Sequence, residues 1–256
     1  MKYKYKNIFI TGASQGIGKA LTFEYASLNR RLVICSRNTE ELKKISEEIN
    51  SNNDMCFYIH CDVSILTDLN KAVNFAKEKL GTIDLAILNS GVGFPQWMSE
   101  FKSGIYKQHM EVNAYGIAHA LEVLIPIMKE QGYGTIAGVT SMADVRGYTG
   151  SSSYVSSKAA ASLLLESARV ELKELNIKVI TIRPGFVKTA MTDKNEFYMP
   201  LLMSTKKAAE KIRKGIEKGK SVVQFPWPIV WATRIIKNIP NWIFDCGVRS
   251  SRPPKK

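Results

Sequence analysis

Short runs of apolar residues alternate along the chain with longer segments in which apolar residues return every three or four positions. The short runs have the length of buried strands, and the longer segments have the period of amphipathic helices. Seven runs predict strands, at residues 4–11, 31–36, 54–60, 83–89, 134–139, 177–183 and 221–225. Six segments predict helices, at residues 19–28, 39–50, 67–80, about 100–130, 154–174 and 206–218. This alternation predicts an α/β fold: a single domain with a doubly wound, mainly parallel seven-stranded sheet and helices on both faces.

A cluster of glycines lies between the first predicted strand and the first predicted helix. Its spacing is T-G-x-x-x-G-x-G, and its residues that we assign to a cofactor are Gly12, Ser14, Gln15, Gly16, Ile17 and Gly18. Glycines let a backbone approach a pyrophosphate, and a helix N-terminus adds free N–H groups and the positive end of a dipole. The strand–turn–helix context therefore favours dinucleotide binding over the alternative, an ordinary tight turn.

The second predicted strand ends at Ser36 and is followed by Arg37. A site for NAD usually places an acidic residue about 20 residues beyond the glycines, where it holds the ribose 2′-OH. An arginine suits a 2′-phosphate instead, through charge-assisted hydrogen bonds. The sequence thus favours NADP(H) over NAD(H). The alternative is that Arg37 is a solvated residue at a strand end.

Polar and small residues also follow the third and fourth predicted strands. They are Asp62 and Val63 after the third strand, and Asn89 and Gly91 after the fourth. Ligands of parallel sheets bind outside the carboxyl ends of the strands. We therefore expect these four residues to lie beside the glycine turn.

Tyr154 and Lys158 are four residues apart in a segment that predicts a helix. Residues with this spacing share one helical face. A neighbouring positive charge lowers the pKa of a tyrosine from about 10, which suits general acid–base chemistry on a carbonyl or an alcohol. The pair is a weak signal alone, since the same spacing also occurs on solvated helix faces.

The net charge of +13 in 256 residues is uneven: residues 206–256 hold thirteen Lys or Arg against three Asp or Glu. No apolar run reaches the roughly 18–20 residues that cross a bilayer, and the amino terminus lacks the pattern of a signal peptide. The four cysteines have no C-x-x-C spacing, and the three histidines form no metal-ligand pattern. We therefore expect reduced thiols, a cytoplasmic location and no metal.

In their order along the chain, these motifs resemble those of the short-chain dehydrogenase/reductase family, in its compact branch. The matching residues are Thr11, Gly12, Gly16, Gly18, Asn89, Ser90, Gly91, Asn113, Ser141, Tyr154, Lys158, Pro184, Gly185 and Thr189. The resemblance covers residues 6–225. It implies a Rossmann-type catalytic domain over residues 1–225 that interconverts a ketone or aldehyde and an alcohol by hydride transfer with NAD(P)(H).

The resemblance also implies roles for individual residues. Tyr154 exchanges a proton with the substrate oxygen, and Ser141 orients that oxygen. Lys158 binds the nicotinamide ribose and lowers the pKa of Tyr154, while Asn113 holds a water that links Lys158 to solvent. The implied cofactor contacts are Gly12, Ser14, Gln15, Gly16, Ile17, Gly18, Ser36, Arg37, Asp62, Val63, Asn89, Gly91, Tyr154, Lys158, Pro184, Gly185, Val187 and Thr189.

Two positions depart from the family's pattern. Ser90 stands where the family usually has alanine, a change between small residues. Gln15 stands where many NADP-dependent members carry a basic residue. The preference for NADP(H) therefore rests mainly on Arg37.

Residues 226–256 lie beyond the resemblance and carry three of the four tryptophans. Three prolines, Pro226, Pro228 and Pro240, predict that this tail is divided into short pieces. The tail caps the substrate pocket or an interface, or it lies on a membrane surface through its apolar and basic residues. Nucleic-acid binding is disfavoured, because no fold for it is evident.

Residues 190–205 predict an irregular flap over the site. Its apolar residues are Met191, Phe197, Tyr198, Met199, Leu201, Leu202 and Met203. They favour an apolar or lipid-like substrate, such as a 3-oxoacyl or steroid-like ketone. The alternative function is a non-catalytic dinucleotide-binding sensor or scaffold at a membrane surface. Homo-dimers and tetramers are both common in the family, so the oligomeric state stays open.

Overall fold

The computed structural model describes residues 5–51, 55–195 and 198–248, and its described strands form one sheet. The strands are β1 Asn7–Thr11, β2 Arg31–Ser36, β3 Cys56–His60, β4 Leu85–Leu88, β5 Gly134–Val139, β6 Ile177–Pro184 and β7 Val222–Phe225. Their order across the sheet is β3-β2-β1-β4-β5-β6-β7, and every pair is parallel. The predicted seven-stranded α/β sheet is confirmed, and it is wholly rather than mainly parallel.

Helices cover both faces of the sheet. They are α1 Gly16–Ala26, α2 Thr39–Ile49, α3 Leu66–Leu80, α4 Ser103–Met110, α5 Gly116–Gln131, α6 Ser152–Glu171, α7 Thr205–Glu217, α8 Trp227–Asn238 and α9 Asn241–Val248. Successive strand residues point to opposite faces. In β1, Ile8 and Ile10 pack with α1, α2 and α7, whereas Phe9 packs with α3, α5 and α6. Burial on both faces explains why the strands read as continuous apolar runs.

The predicted helix over residues 100–130 is interrupted. Helices α4 and α5 are joined by one π-helical turn, Glu111–Tyr115, which carries Asn113. The buried Asn113 side chain bonds to the backbone of Val92 and to Ser157, both outside the helix. Single π turns of this kind are frequent at functional sites.

The strand order reverses between β1 and β4, which lie side by side although two strands separate them in sequence. The Thr11 hydroxyl at the end of β1 accepts hydrogen bonds from the backbone N–H groups of Asn89 (3.1 Å) and Ser90 (3.2 Å). These bonds hold the ends of the two strands together. A crevice at such a point is where open α/β sheets bind their ligands.

The carboxyl-terminal segment forms two helices, α8 and α9, which we call the helix pair. The predicted division at Pro228 is wrong, because Pro228 lies in the first turn of α8, where a missing N–H costs no helical bond. Pro240 does separate α8 from α9. Among the described residues, no helix has both the length and the apolar character needed to span a membrane. The predicted flap residue Phe197 and the tail beyond residue 248 lie outside the described part.

Candidate active site

A cleft of about 410 Å³ lies at the carboxyl ends of β1 to β6. Most of the predicted site residues line it. They are Gly12, Ser14, Gln15, Gly16, Ile17, Ser36, Arg37, Asp62, Val63, Asn89, Gly91, Ser141, Tyr154, Lys158, Pro184, Gly185, Val187 and Thr189. The two other predicted residues, Gly18 and Asn113, lie behind the wall of the cleft. Asn38 and Thr140, which were not among the predicted site residues, also line it, as does Met191 of the predicted flap.

The glycine turn leaves no room for a side chain at Gly12 or Gly18. Gly12 has a φ of 64°, in the left-handed region, and a Cβ there would lie 2.8 Å from the Cα of Ser90. A Cβ on Gly18 would lie 2.2 Å from the carbonyl oxygen of Gly12. Gly18 therefore lets α1 pack against the turn and is not a cleft residue. Its packing role is clear from these distances, and its predicted contact with a cofactor stays a prediction.

Helix α1 begins at Gly16, within the glycine turn, rather than near the predicted residue 19. Its N-cap residue, Gln15, makes no side-chain capping hydrogen bond. The first N–H groups of a helix have no partner within the helix. Here two of them belong to Gly16 and Ile17, which line the cleft. This cradle of small residues at a helix N-terminus fits the pyrophosphate of a dinucleotide.

The end of β2 brings Ser36, Arg37 and Asn38 to the cleft. Asn38 is also the N-cap of α2, since its side chain accepts a hydrogen bond from Glu41 N. The Arg37 side chain is 61% exposed, and its guanidinium lies 3.8 Å from Asp62 Oδ2. Burial raises the pKa of Asp62, but hydrogen bonds from Ser64 and the charge of Arg37 outweigh it and hold that pKa below its usual range. An exposed cation, Arg37, and a hydrogen-bonded anion, Asp62, thus lie at this end of the cleft.

Tyr154 lies in the first turn of α6 and Lys158 in the next, so both face the cleft as their spacing predicts. Lys158 is buried, and its Nζ donates to the carbonyl oxygen of Val139 at 3.1 Å. Burial lowers the pKa of Lys158 to about 8, and the charge of Asp144 opposes that shift. Lys158 is therefore still mainly protonated at neutral pH.

The pKa of Tyr154 differs from the prediction. Burial of its hydroxyl raises the pKa above the ordinary value of 10, although a hydrogen bond with Ser141 acts in the opposite direction. The Nζ of Lys158 is 6.0 Å from the centroid of the Tyr154 ring and is turned towards Val139. The predicted lowering of this pKa by Lys158 is therefore wrong for this arrangement.

Ser141 follows β5 and caps the short helical turn Met142–Val145. Its Oγ accepts a hydrogen bond from Ala143 N at 3.1 Å. Because the acceptor side of the hydroxyl is engaged, its proton is available to a second acceptor. Ser141 can therefore donate to an oxygen in the cleft beside Tyr154.

Asn113 clamps the loop after β4. Its Oδ1 accepts from Val92 N at 2.8 Å, and its Nδ2 donates to Val92 O at 2.9 Å and to Ser157 Oγ at 2.9 Å. A Cβ on Gly91 would lie 3.1 Å from both Asn113 Oδ1 and Lys158 Nζ. These contacts fix the loop against α6 and place Asn113 close to Lys158. The predicted proton relay through Asn113 stays a prediction.

An ion pair between Asp144 and Arg183, behind the part of the cleft lined by Ser141 and Lys158, was not predicted. The Asp144 side chain is 2% exposed and accepts hydrogen bonds from Arg183 at the end of β6 and from Ser162 on α6. The partners lie far apart in sequence, so no local pattern signals the pair. The ion pair joins the turn after Ser141 to β6, and the hydrogen bond from Ser162 joins the same turn to α6, the helix that carries Lys158. Among the described residues, no cluster of His, Cys, Asp or Glu could hold a metal ion.

Comparison with known proteins agrees with this site. Residues 6–197 match the family described as short chain dehydrogenase. The chain is 33% identical over 248 residues to an uncharacterized oxidoreductase of Myxococcus xanthus, covering 97% of this chain and 98% of the relative. It is 32% identical over 184 residues to the 7alpha-hydroxysteroid dehydrogenase of Escherichia coli K12, covering 72% of each.

A solved structure has the same fold. The short chain dehydrogenase/reductase of Burkholderia phymatum, in complex with NAD, superposes with a TM-score of 0.84 at 21% identity, covering 100% of this chain and 99% of the other. The chain belongs to the short-chain dehydrogenase/reductase family, as its motifs predicted. The alignments with the Myxococcus relative and with the Burkholderia structure both continue beyond residue 225 into the tail.

Proposed function

We propose that this member of the family is an NADP(H)-dependent oxidoreductase that interconverts an apolar ketone or aldehyde and the corresponding alcohol. The observation that carries the proposal is the convergence of Ser141, Tyr154 and Lys158 on the cleft that the glycine turn also lines. No separate substrate domain is needed, because the reacting groups lie on the sheet domain itself.

In the proposed reduction, a bound nicotinamide supplies the hydride. Tyr154 donates its phenolic proton to the substrate oxygen, and Ser141 donates a hydrogen bond to the same oxygen and holds it in place. A raised pKa keeps Tyr154 protonated at neutral pH, which suits the direction of reduction. The protonated Lys158 provides a positive charge on the same wall and, with Asn113, a route by which Tyr154 regains its proton.

The preference for NADP(H) is supported by the residues at the end of β2. Ser36, Arg37 and Asn38 line the cleft there, and none of them is acidic. Arg37 is largely exposed, and its long contact with Asp62 leaves its donors able to turn to a 2′-phosphate. The glycine turn contributes no basic residue, since Gln15 occupies the position at which many relatives have one.

An apolar substrate is supported by the flap. Met191 lines the cleft, and its Sδ lies 3.0 Å from the position that a Cβ on Gly93 would take. Further along the flap, Tyr198, Leu201 and Leu202 are exposed. Large apolar side chains around an opening favour an apolar ligand. By its name, the relative from Escherichia coli acts on hydroxysteroids, which are apolar alcohols.

The test is turnover of a series of ketones of increasing chain length with NADPH or NADH, followed by the absorbance of the reduced cofactor. We expect kcat/KM to rise roughly threefold to fourfold for each added methylene until the pocket is filled. NADPH should exceed NADH in kcat/KM by about tenfold or more.

This experiment tests the cofactor preference, the apolar substrate and the catalytic activity separately. Equal rates with the two cofactors would contradict the role of Arg37. A flat dependence on chain length would contradict an apolar substrate. NADPH binding without turnover of any carbonyl would instead favour the non-catalytic sensor.

A further inference from the structure

Helix α8 turns a stripe of large apolar side chains outward. Trp227, Trp231 and Ile235 recur every four residues and therefore share one helical face. They are 74%, 57% and 63% exposed, and Trp242 of α9 is 71% exposed. A tryptophan buries 150–250 Å² when it is covered, so this stripe leaves a large apolar area in contact with water. We call these four side chains the aromatic stripe.

One face of α8 packs against the sheet domain, and the aromatic stripe therefore points away from it. A Cβ on Gly185, after β6, would lie 3.4 Å from Ile229 Cδ1 and 3.1 Å from Pro226 Cδ. Positions 229 and 236 lie on the side of α8 opposite to Trp227 and Trp231. The stripe is thus the outward side of a packed helix and not a frayed end of the chain.

Arg146 fastens the helix pair to the loop that precedes Tyr154. Its guanidinium donates to Ile236 O (3.3 Å), Ile239 O (3.0 Å) and Asn241 Oδ1 (2.9 Å). The same guanidinium lies 4.1 Å from the centroid of the Phe244 ring, which also contacts Tyr148 edge to face at 5.9 Å. The orientation of the stripe is therefore coupled to the wall that carries Ser141 and Tyr154.

The charge around the stripe is positive. Arg234 lies on the same face, with its guanidinium carbon 5.2 Å from the Trp231 ring centroid, and the exposed Lys237 lies beside it. Residues 226–256 contain six Lys or Arg and one acidic residue, Asp245. Aromatic side chains interleaved with cations are typical of helices that lie in the interface of an anionic membrane.

Charge also argues against a second copy of the chain as the occupant of this face. A two-fold symmetric contact pairs a surface patch with itself, so two copies of Arg234 and two of Lys237 would lie in one interface. The whole chain has a net charge of +13, which adds repulsion. An anionic lipid surface offers the opposite charge together with an apolar layer for the tryptophans.

We propose that the aromatic stripe docks on the surface of an anionic membrane. Because α8 lies between Gly185, which lines the cleft, and the aromatic stripe, docking places this wall of the cleft one helix diameter, roughly 10–12 Å, from the lipid surface. The flap carries further exposed apolar side chains, those of Tyr198, Leu201 and Leu202. The flap is joined to the segment after Gly185, because Met203 N donates a hydrogen bond to Phe186 O at 3.0 Å. This inference rests on the proposed function for its substrate, which it identifies as a carbonyl or alcohol dissolved in the bilayer.

The experiment is co-sedimentation of the full chain with phosphatidylcholine vesicles, with and without about 30% phosphatidylglycerol. We expect the wild-type protein to pellet with the anionic vesicles and to be released by salt. The double substitution Trp227→Ser/Trp231→Ser should weaken vesicle binding about tenfold or more. Arg234→Gln/Lys237→Gln should weaken binding to anionic vesicles by a similar factor and leave the apolar side chains intact.

The control is Tyr58→Ser, on strand β3 at the opposite edge of the sheet, which should leave vesicle binding unchanged. A wild-type protein that stays in the supernatant, or a tryptophan variant that pellets equally well, would overturn the proposal. A tryptophan variant that converts a dimer into a monomer, without any vesicle binding by the wild type, would assign the stripe to a second copy. Turnover of a water-soluble ketone without vesicles tests the oxidoreductase independently.

Discussion

The cofactor side of the molecule and the helix pair treat their large apolar side chains in opposite ways. On the cofactor side, Phe9 of β1 and Leu21 of α1 are fully buried, and Tyr25 is 1% exposed. In the helix pair, Trp227 and Trp242 are 74% and 71% exposed, and α8 contains no buried residue. Both regions are rich in apolar residues, so composition alone does not distinguish them.

The two regions differ in what their internal packing does: on the cofactor side it shapes the cleft, and in the helix pair it only orients an exposed face. On the cofactor side, the glycine turn that lines the cleft is itself closely packed, because Ser90 and the carbonyl oxygen of Gly12 leave no room for a Cβ on Gly12 and Gly18 respectively. In the helix pair, the packing fixes only the orientation, through Arg146, and the outward surface requires something outside the chain. Substitutions at the packed glycines of the cofactor side should therefore alter stability and binding together, whereas substitutions of exposed side chains, in the aromatic stripe or at Arg37, should alter binding alone.

The largest effect is expected from Gly18→Ala. The new Cβ would lie 2.2 Å from Gly12 O and 2.5 Å from Asn89 Nδ2, so the backbone of the turn must move. We expect a loss of about 3 kcal/mol in the free energy of unfolding, together with weaker NADPH binding. Urea denaturation and NADPH titration measure the two effects.

Gly104→Ala on α4 is the matched control, because a Cβ there meets no atom within 4 Å. It should leave stability unchanged or raise it by up to about 1 kcal/mol, as alanine favours a helix over glycine. A similar loss in the free energy of unfolding for Gly18→Ala and Gly104→Ala would contradict the close packing of the glycine turn.

Lys158→Met should stabilise the protein at neutral pH. Burial lowers the pKa of Lys158 from 10.5 to about 8, so below pH 8 the folded protein bears the full cost of a buried charge. Between about pH 8 and pH 10.5 the folded state releases this proton before the unfolded state does, and the cost disappears. We expect the variant to be more stable by up to about 3 kcal/mol at pH 7, with the difference fading as the pH rises through this window.

Urea denaturation at a series of pH values measures this difference, and Lys71→Met on the exposed face of α3 is the control. A constant difference between Lys158→Met and the wild type across the window would contradict the burial of a charged Lys158.

Arg37→Ala should have the smallest effect on the protein itself. The side chain is 61% exposed, so stability should hardly change. The ratio of kcat/KM for NADPH to that for NADH should fall about tenfold to a hundredfold, since hydrogen bonds to a charged phosphate are lost. Steady-state kinetics with both cofactors measures the ratio, and an unchanged ratio would remove Arg37 from cofactor recognition.

Much of the fold could be predicted because the strands are buried on both faces. The predicted limits of β2 and β5 agree with the structure, where continuous apolar runs stand between polar turns. The glycine turn and the Tyr154–Lys158 spacing are local patterns, and they too lie where they were expected. Local sequence patterns were therefore enough to predict the sheet and most of the residues that line the cleft.

The rest depends on contacts between distant residues. The π turn at Asn113 interrupts a helical pattern without a proline, and its reason lies in Val92 and Ser157. The helical spacing of Lys158 predicts its face, but not that its Nζ turns to Val139 O. The Asp144–Arg183 pair is likewise visible only in three dimensions, as is the distinction between the aromatic stripe and the core.

In the proposed reaction, Tyr154 supplies the proton in a carbonyl reduction with NADPH. The most direct test compares wild type and Tyr154→Phe in two assays, NADPH binding by fluorescence and single-turnover reduction of a ketone, with Tyr58→Phe as control. We predict that binding stays within about threefold, while the rate of reduction falls about a thousandfold. Retention of most of the rate, or an equal loss of binding and rate, would contradict this role of Tyr154.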